Sequence, residues 1–198
     1  MEQFSKNGYL ISIDYDENVE NPREWDYNLT KMYCRHNKYI LGDGELGLEL
    51  HNSECSNWND ELRMLQRKFN IAVIQPLFLF DHGGLSISTS KSCTWDSGQV
   101  GFIFITKEEL RDIFDIKRVT SKHLARAEEM LYDELKTYDN YLRGEVYCYS
   151  IEDEITGETV DSCGGWYGYE SLKDIKDEIK TFLSSQPVAA QYLQPSLL

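Results

Sequence analysis

The sequence predicts a single α+β domain over residues 1–185, a largely antiparallel sheet packed with about four helices, followed by an irregular tail over 186–198. Three observations predict it. Apolar residues recur at helical spacing in four separate stretches. Two nearly continuous apolar runs read as buried strands, and an alternating run meets a turn and returns as a hairpin. Helices and strands do not alternate strictly, which points to α+β rather than to a parallel βαβ array.

In chain order, Tyr9 to Ile13 reads as a strand. Trp58, Leu62, Leu65 and Phe69 form one apolar helical stripe. Ile71 to Phe80 is almost wholly apolar and predicts a strand central on at least one face, with Pro76 marking a bulge or an open edge because proline has no N–H for a ladder. Gln99 to Thr106 predicts a second buried strand. Thr106 with Glu109 matches a capping box ahead of a short helix burying Leu110, Ile113 and Phe114. A longer helix starts near Ser121, with Leu124, Ala127, Leu131, Leu135, Tyr138 and Leu142 on one side. Glu145 to Glu152, the Thr156-Gly157 turn and Thr159 to Tyr167 form the hairpin. A last helix from Ser171 turns Leu172, Ile175, Ile179 and Phe182 inward.

Composition narrows the function classes. The 198 residues carry 34 acids against 20 Lys and Arg, for a net charge of -14. Charge is uneven along the chain: -7 over residues 1–60, +3 over 61–127 and -10 over 128–198. This balance opposes a general grip on nucleic acid or an anionic membrane. No apolar run reaches the roughly 18 residues of a membrane helix. The first twenty residues lack a basic start followed by an apolar stretch, so no secretory signal is expected. Five Cys without CxxC spacing suit reduced thiols and a cytoplasmic location.

Motif tests mostly exclude. Gly42-Asp43-Gly44-Glu45-Leu46-Gly47 matches GxGxxG, but its carboxylates would repel phosphate, and it reads as an acidic turn between extended segments. Asp14 to Trp25 starts like a calcium loop, with Val19 where Gly is needed and Trp25 where Glu is needed. The four His show no metal-ligand spacing, and His123 is expected to be exposed. No metal and no cofactor is expected.

One constellation carries possible chemistry. Asp81, His82, Asp96 and Gln99 flank two buried strands among Gly and Ser hinges, beside Cys93 and Trp95. A catalytic reading makes His82 a general base oriented by Asp81, with Asp96 holding a metal or the substrate. The same residues also suit turn chemistry, with Trp95 filling the core. A second group, Tyr147, Tyr149 and Glu152 facing Asp161, Ser162, Cys163, Trp166 and Tyr167, reads either as cross-strand sheet packing or as a protein-binding face.

Several segments carry a resemblance: Asn21-Pro22-Arg23-Glu24-Trp25-Asp26, Pro76 to Gly84, Cys93-Thr94-Trp95-Asp96-Ser97-Gly98-Gln99-Val100-Gly101-Phe102, Tyr138 to Tyr147 and Asp161 to Gly168. Over residues 10–183 the chain resembles a family of acidic accessory proteins carried by bacteriophages and prophages, with Gly83 where that family has Ser. The resemblance implies context rather than a reaction: an inhibitor of host defence, of the anti-CRISPR or antirestriction type. The expectation is a non-enzymatic binder of a host nuclease or CRISPR effector, with no direct nucleic-acid contact. Its contact candidates are Asp14, Asp16, Glu17 and Glu20, together with Glu152, Asp153, Glu154 and Glu158. The runner-up is a small hydrolytic or nucleotide-directed enzyme centred on Asp81, His82 and Asp96.

Overall fold

The computed structural model describes residues 2–44, 46, 50, 55, 57–91 and 96–186. The expected tail lies outside the described residues except Gln186, as do Cys93 and Trp95 of the proposed constellation. The fold is α+β, with every strand pair antiparallel among the described residues. Its contacts gather in two compact units: the described residues of Met1–Glu20 with Gly144–Leu198, and Asn21–Arg143.

The first unit joins both ends of the sequence in one sheet of order β1-β2-β7-β8. Its strands are β1 (Glu2–Lys6), β2 (Tyr9–Tyr15), β7 (Val146–Asp153) and β8 (Thr159–Tyr167). Asn7 and Gly8, with φ of 55° and 88°, make the tight turn between β1 and β2. Alternate residues of β2 and β7, among them Ile11, Ile13, Tyr147, Tyr149 and Ile151, are buried against helix α4 (Ser171–Ser185) through Ile175, Ile179 and Leu183. Tyr147 and Tyr149 are therefore core residues, which removes the aromatic binding face from the two readings of this hairpin.

The second unit contains a 3-10 turn (Pro22–Glu24), β3 (Lys31–Cys34), α1 (Trp58–Lys68), β4 (Ile71–Asp81), β5 (Leu85–Ser88), β6 (Ser97–Thr106), α2 (Lys107–Phe114) and α3 (Ser121–Leu142). The sheet order is β3-β6-β4-β5. Helix α3 covers one face through Leu131, Leu135 and Tyr138. Helix α1 packs Leu65 on the other face against Tyr33, Phe102 and Phe104. Pro76 pairs in register with Phe102, while β5 reaches β4 only from Phe78 onward, so the proline stands where that side of β4 is open and next to a bulge.

Three local expectations change. Ile113 is 37% exposed because the short α2 buries only the turn that holds Leu110. His123 is half-buried, since its ring stacks on Phe114 and its Nδ1 accepts from the Thr120 N–H at the start of α3. Gly42 and Asp43 do form a turn, but the described residues Gly44, Leu46 and Leu50 beyond it are helical, not extended.

Candidate functional site

Asp81 ends β4 and Asp96 immediately precedes β6, so the pairing of these strands dictates that they meet. The Asp81 N–H donates to the Asp96 carbonyl at 3.2 Å. Beside them opens a groove of about 430 Å³ lined by His36, Asp81, Asp96, Ser97, Gly98 and Gln99. Three of the four residues expected to act together thus share a groove.

His82 does not join them. It is exposed and its ring lies 6.4 Å from that of Phe80. Asp81 does not orient it, because the Asp81 carboxylate instead accepts from the Tyr39 hydroxyl at 3.0 Å and faces the Lys38 ammonium at 3.6 Å. Contact with Tyr39, and then the charge of Asp81, hold the pKa of Lys38 above its ordinary value. The imidazole in the groove is that of His36, stacked on Tyr39 at 5.1 Å. Its Nδ1 accepts from the N–H groups of Lys38 and Tyr39, both at 3.3 Å, so the neutral ring keeps its proton on Nε2. In that form it donates and has no lone pair left for a general base. Ser97 also lines this region: its hydroxyl is buried and has no hydrogen-bond partner among the described residues. The groove therefore offers carboxylate and amide acceptors with one fixed N–H donor. Among the described residues no three His, Cys, Asp or Glu side chains converge on a metal position. Sequence reasoning missed His36 and Tyr39; their signal was the i, i+3 spacing across a tight polar turn.

The eight acidic candidates all fall in the first unit, at opposite ends of its sheet. Tyr15 pairs with Tyr147 and Tyr9 with Asp153, so Asp14, Asp16 and Glu17 belong to one end and Glu152 to Glu158 to the other. About six residues of strand, on the order of 20 Å, separate the two groups. Two of the carboxylates have structural duties. Asp16 Oδ2 accepts from the Gly165 N–H at 2.8 Å, and a Cβ at Gly164 would collide with the same oxygen. Asp153 Oδ1 accepts from the N–H groups of Thr156 and Ile155, which in that order hold its pKa below the ordinary value. Glu17, Glu20, Glu154 and Glu158 are exposed.

The most developed polar cluster surrounds Arg23, whose side chain is 2% exposed. Its guanidinium donates to Asp43 at 2.8 Å, Glu134 at 2.9 Å and the Thr30 carbonyl at 2.7 Å. Glu134 accepts in addition from the N–H of Leu29 and the hydroxyl of Thr30, both at 2.6 Å. This fork ties the 21–30 loop to α3 and to the turn at Asp43.

The chain matches no protein-family profile, no curated protein and no solved structure.

Proposed function

We propose that the chain is a non-catalytic acidic inhibitor of phage or prophage origin that acts inside the host cell, binding a nucleic-acid-handling protein of a host defence system, of the anti-CRISPR or antirestriction type. The observation that supports this reading is the partition of charge. Residues 1–20 and 144–198 hold 15 acids and 4 Lys with no Arg, for a net -11, whereas residues 21–143 hold 19 acids and 16 bases, for a net -3. From Gly144 to Leu172 there are seven acids and no Lys, Arg or His. A field of this sign competes with polyphosphate for a basic channel and is screened by salt. The eight carboxylates supply it from both ends of the sheet, with Asp16 and Asp153 also fixing the local backbone.

The test is affinity capture of the full chain from a phage-susceptible bacterium at low and high salt, beside a Glu152→Lys, Asp153→Lys, Glu154→Lys, Glu158→Lys variant. The expected result is a nuclease or CRISPR effector that is released by salt, displaced by its own nucleic acid, and lost by the variant. Equal capture by the variant, or capture that nucleic acid leaves untouched, overturns the reading.

A second reading is favoured by the unpartnered Ser97 hydroxyl beside Asp81, Asp96 and Gln99. A small polar ligand rich in donors, a nucleotide base or an amino sugar, would complete those acceptors. Saturable shifts of the His36 and Gln99 resonances by such a ligand, abolished in Asp96→Asn, support it; silence across nucleotides and amino sugars removes it.

A further inference from the structure

The segment Asn21 to Asp26 belongs to the second unit and is held by buried charge. Arg23 anchors it from below, and the Asn28 amide donates to the carbonyls of Pro22 and Trp25, both at 2.8 Å. Buried ion pairs add little net stability compared with apolar packing, so what such a network secures is position. The side chains it positions are Trp25 and Tyr27, stacked with ring centroids 5.2 Å apart and 24° between planes. Tyr27 is 69% exposed, so its ring gains almost nothing from the core.

With Pro22 and the α3 residues Asp133 and Thr137, these rings line a cleft of about 210 Å³. Pockets for drug-sized ligands begin at roughly 300 Å³, so the cleft fits one protruding side chain better than a free metabolite. Its chemistry selects the kind. The positive charge of Arg23 is already met by Asp43 and Glu134, while exposed Glu24, Asp26 and Asp133 leave the neighbourhood negative. Aromatic faces beside carboxylates attract cations, and a planar guanidinium can stack and pair at once. The same carboxylates repel the phosphates that would accompany a stacked nucleic-acid base.

We infer that the Trp25–Tyr27 cleft seats an arginine side chain of the basic partner protein. The inference rests on the proposed reading of the chain as a binder of basic proteins, and it assigns an anchor to residues 21–143 in addition to the charged unit. Interfaces draw most of their energy from a few such aromatic and arginine contacts, with the surrounding charge setting encounter rate.

The experiment is an NMR titration of the full chain with an acetylated, amidated Gly-Arg-Gly peptide, its Gly-Lys-Gly counterpart and oligothymidylate. The arginine peptide is expected to shift the Trp25 indole signal saturably, more tightly than the lysine peptide. Tyr27→Ala is expected to weaken it roughly tenfold, and Asp133→Asn severalfold. Because the Tyr27 ring is exposed, this variant keeps the test decisive should Trp25→Ala fail to fold. Arginine-peptide affinity in Tyr27→Ala within twofold of the parent, or a stronger Trp25 shift by oligothymidylate, overturns the inference. The four-Lys hairpin variant separates the two proposals. If it loses the peptide while Tyr27→Ala retains it, the cleft falls and the acidic reading stands. If Tyr27→Ala loses it and the hairpin variant retains it, the cleft stands, and the hairpin carboxylates are judged separately by whether the same hairpin variant loses the captured partner.

Discussion

The two units of this chain use charge in opposite ways. In residues 21–143, two arginines hold segments together: the buried Arg23 bridges Asp43, Glu134 and Thr30, and the half-exposed Arg35 reaches the buried Glu61 at 2.7 Å while lying over Trp58, whereas Arg63 and Arg126 form only exposed pairs along their own helices. In the unit built from both ends of the chain there is no arginine, and its core is apolar and aromatic. Its carboxylates accept from backbone N–H groups, from the Tyr149 hydroxyl or from surface lysines, as Glu2 does from Lys176 at 2.7 Å. A guanidinium carries five donors in a fixed fork and so can organise several segments at once, which a lysine cannot. One unit therefore uses charge to hold loops in place, and the other accumulates it as a field.

The largest effect that would break this comparison is expected at Arg23. Arg23→Ala removes the cation from Glu134 and Asp43, which keep their bonds to Leu29, Thr30 and Met32, and should cost about 3 kcal/mol in urea unfolding. Arg23→Lys should recover only part, because the fork is lost. A cost below about 1 kcal/mol for Arg23→Ala would mean that the network behaves like an exposed pair.

Next in size is an alkaline transition that both units share. Burial, then the bond to Asp161, pushes the Tyr149 hydroxyl up to about 12, and burial pushes Tyr138 up to about 12 despite the N–H it receives from Gly42. Both lie above the ordinary value of 10.0, so the folded state keeps protons that the unfolded chain releases. Their contribution is complete below pH 10 and is lost as pH rises toward 12. Urea midpoints measured on either side of that window should fall for the parent, and should fall less for Tyr149→Phe and for Tyr138→Phe. An identical fall in both variants would place the alkaline sensitivity elsewhere.

A smaller effect sharpens the role of Asp16. Asp16→Ala should cost about 1 kcal/mol through the lost bond to Gly165. Gly164→Ala should be harmful beside Asp16 and nearly harmless in the Asp16→Ala background, because the atom its Cβ would meet has gone. A double-mutant cycle measures this coupling directly, and additivity would contradict the close approach. The smallest effect is expected from Glu158→Lys alone, slightly toward greater stability because it relieves like-charge repulsion, whereas adding Asp153→Lys should reverse the gain by removing the acceptor for the Thr156 and Ile155 N–H groups.

Much of the fold was legible wherever one element's own pattern suffices. The stripes of α1, α3 and α4, the capping box of Thr106 and Glu109, and the β7–β8 hairpin all follow from local spacing and turn chemistry. The β1–β2 hairpin was legible as well, in Asn7-Gly8 between short alternating runs, but β1 is mostly exposed and its polar sequence, EQFSK, hides it from an apolar search. The short strands β3 and β5 lack the length to show a period.

At the candidate site, proximity along the chain proved a poor guide. Asp81 and Asp96 meet because β4 and β6 pair, which their positions beside buried strands foreshadowed. His82, adjacent to Asp81 in sequence, lies beyond the end of β4 in the turn toward β5, exposed and beside Phe80. His36 takes the groove position from more than forty residues upstream; its i, i+3 spacing to Tyr39 marks a local pair, but nothing in that spacing says which strand end the pair will meet.

By itself, then, the sequence determined the helices, the buried strands, the α+β class and the strong negative charge, since these depend on composition and on periods of two and 3.6 residues. Tertiary structure alone decided that residues 1–20 join 144–198, that the acidic groups lie at two ends of one sheet, that Tyr147 and Tyr149 are core, and that Arg23 lies at the centre of a network spanning residues 23 to 134. Those outcomes depend on strand register and on contacts between residues a hundred or more positions apart, and a linear pattern carries no record of which partner such a residue will meet.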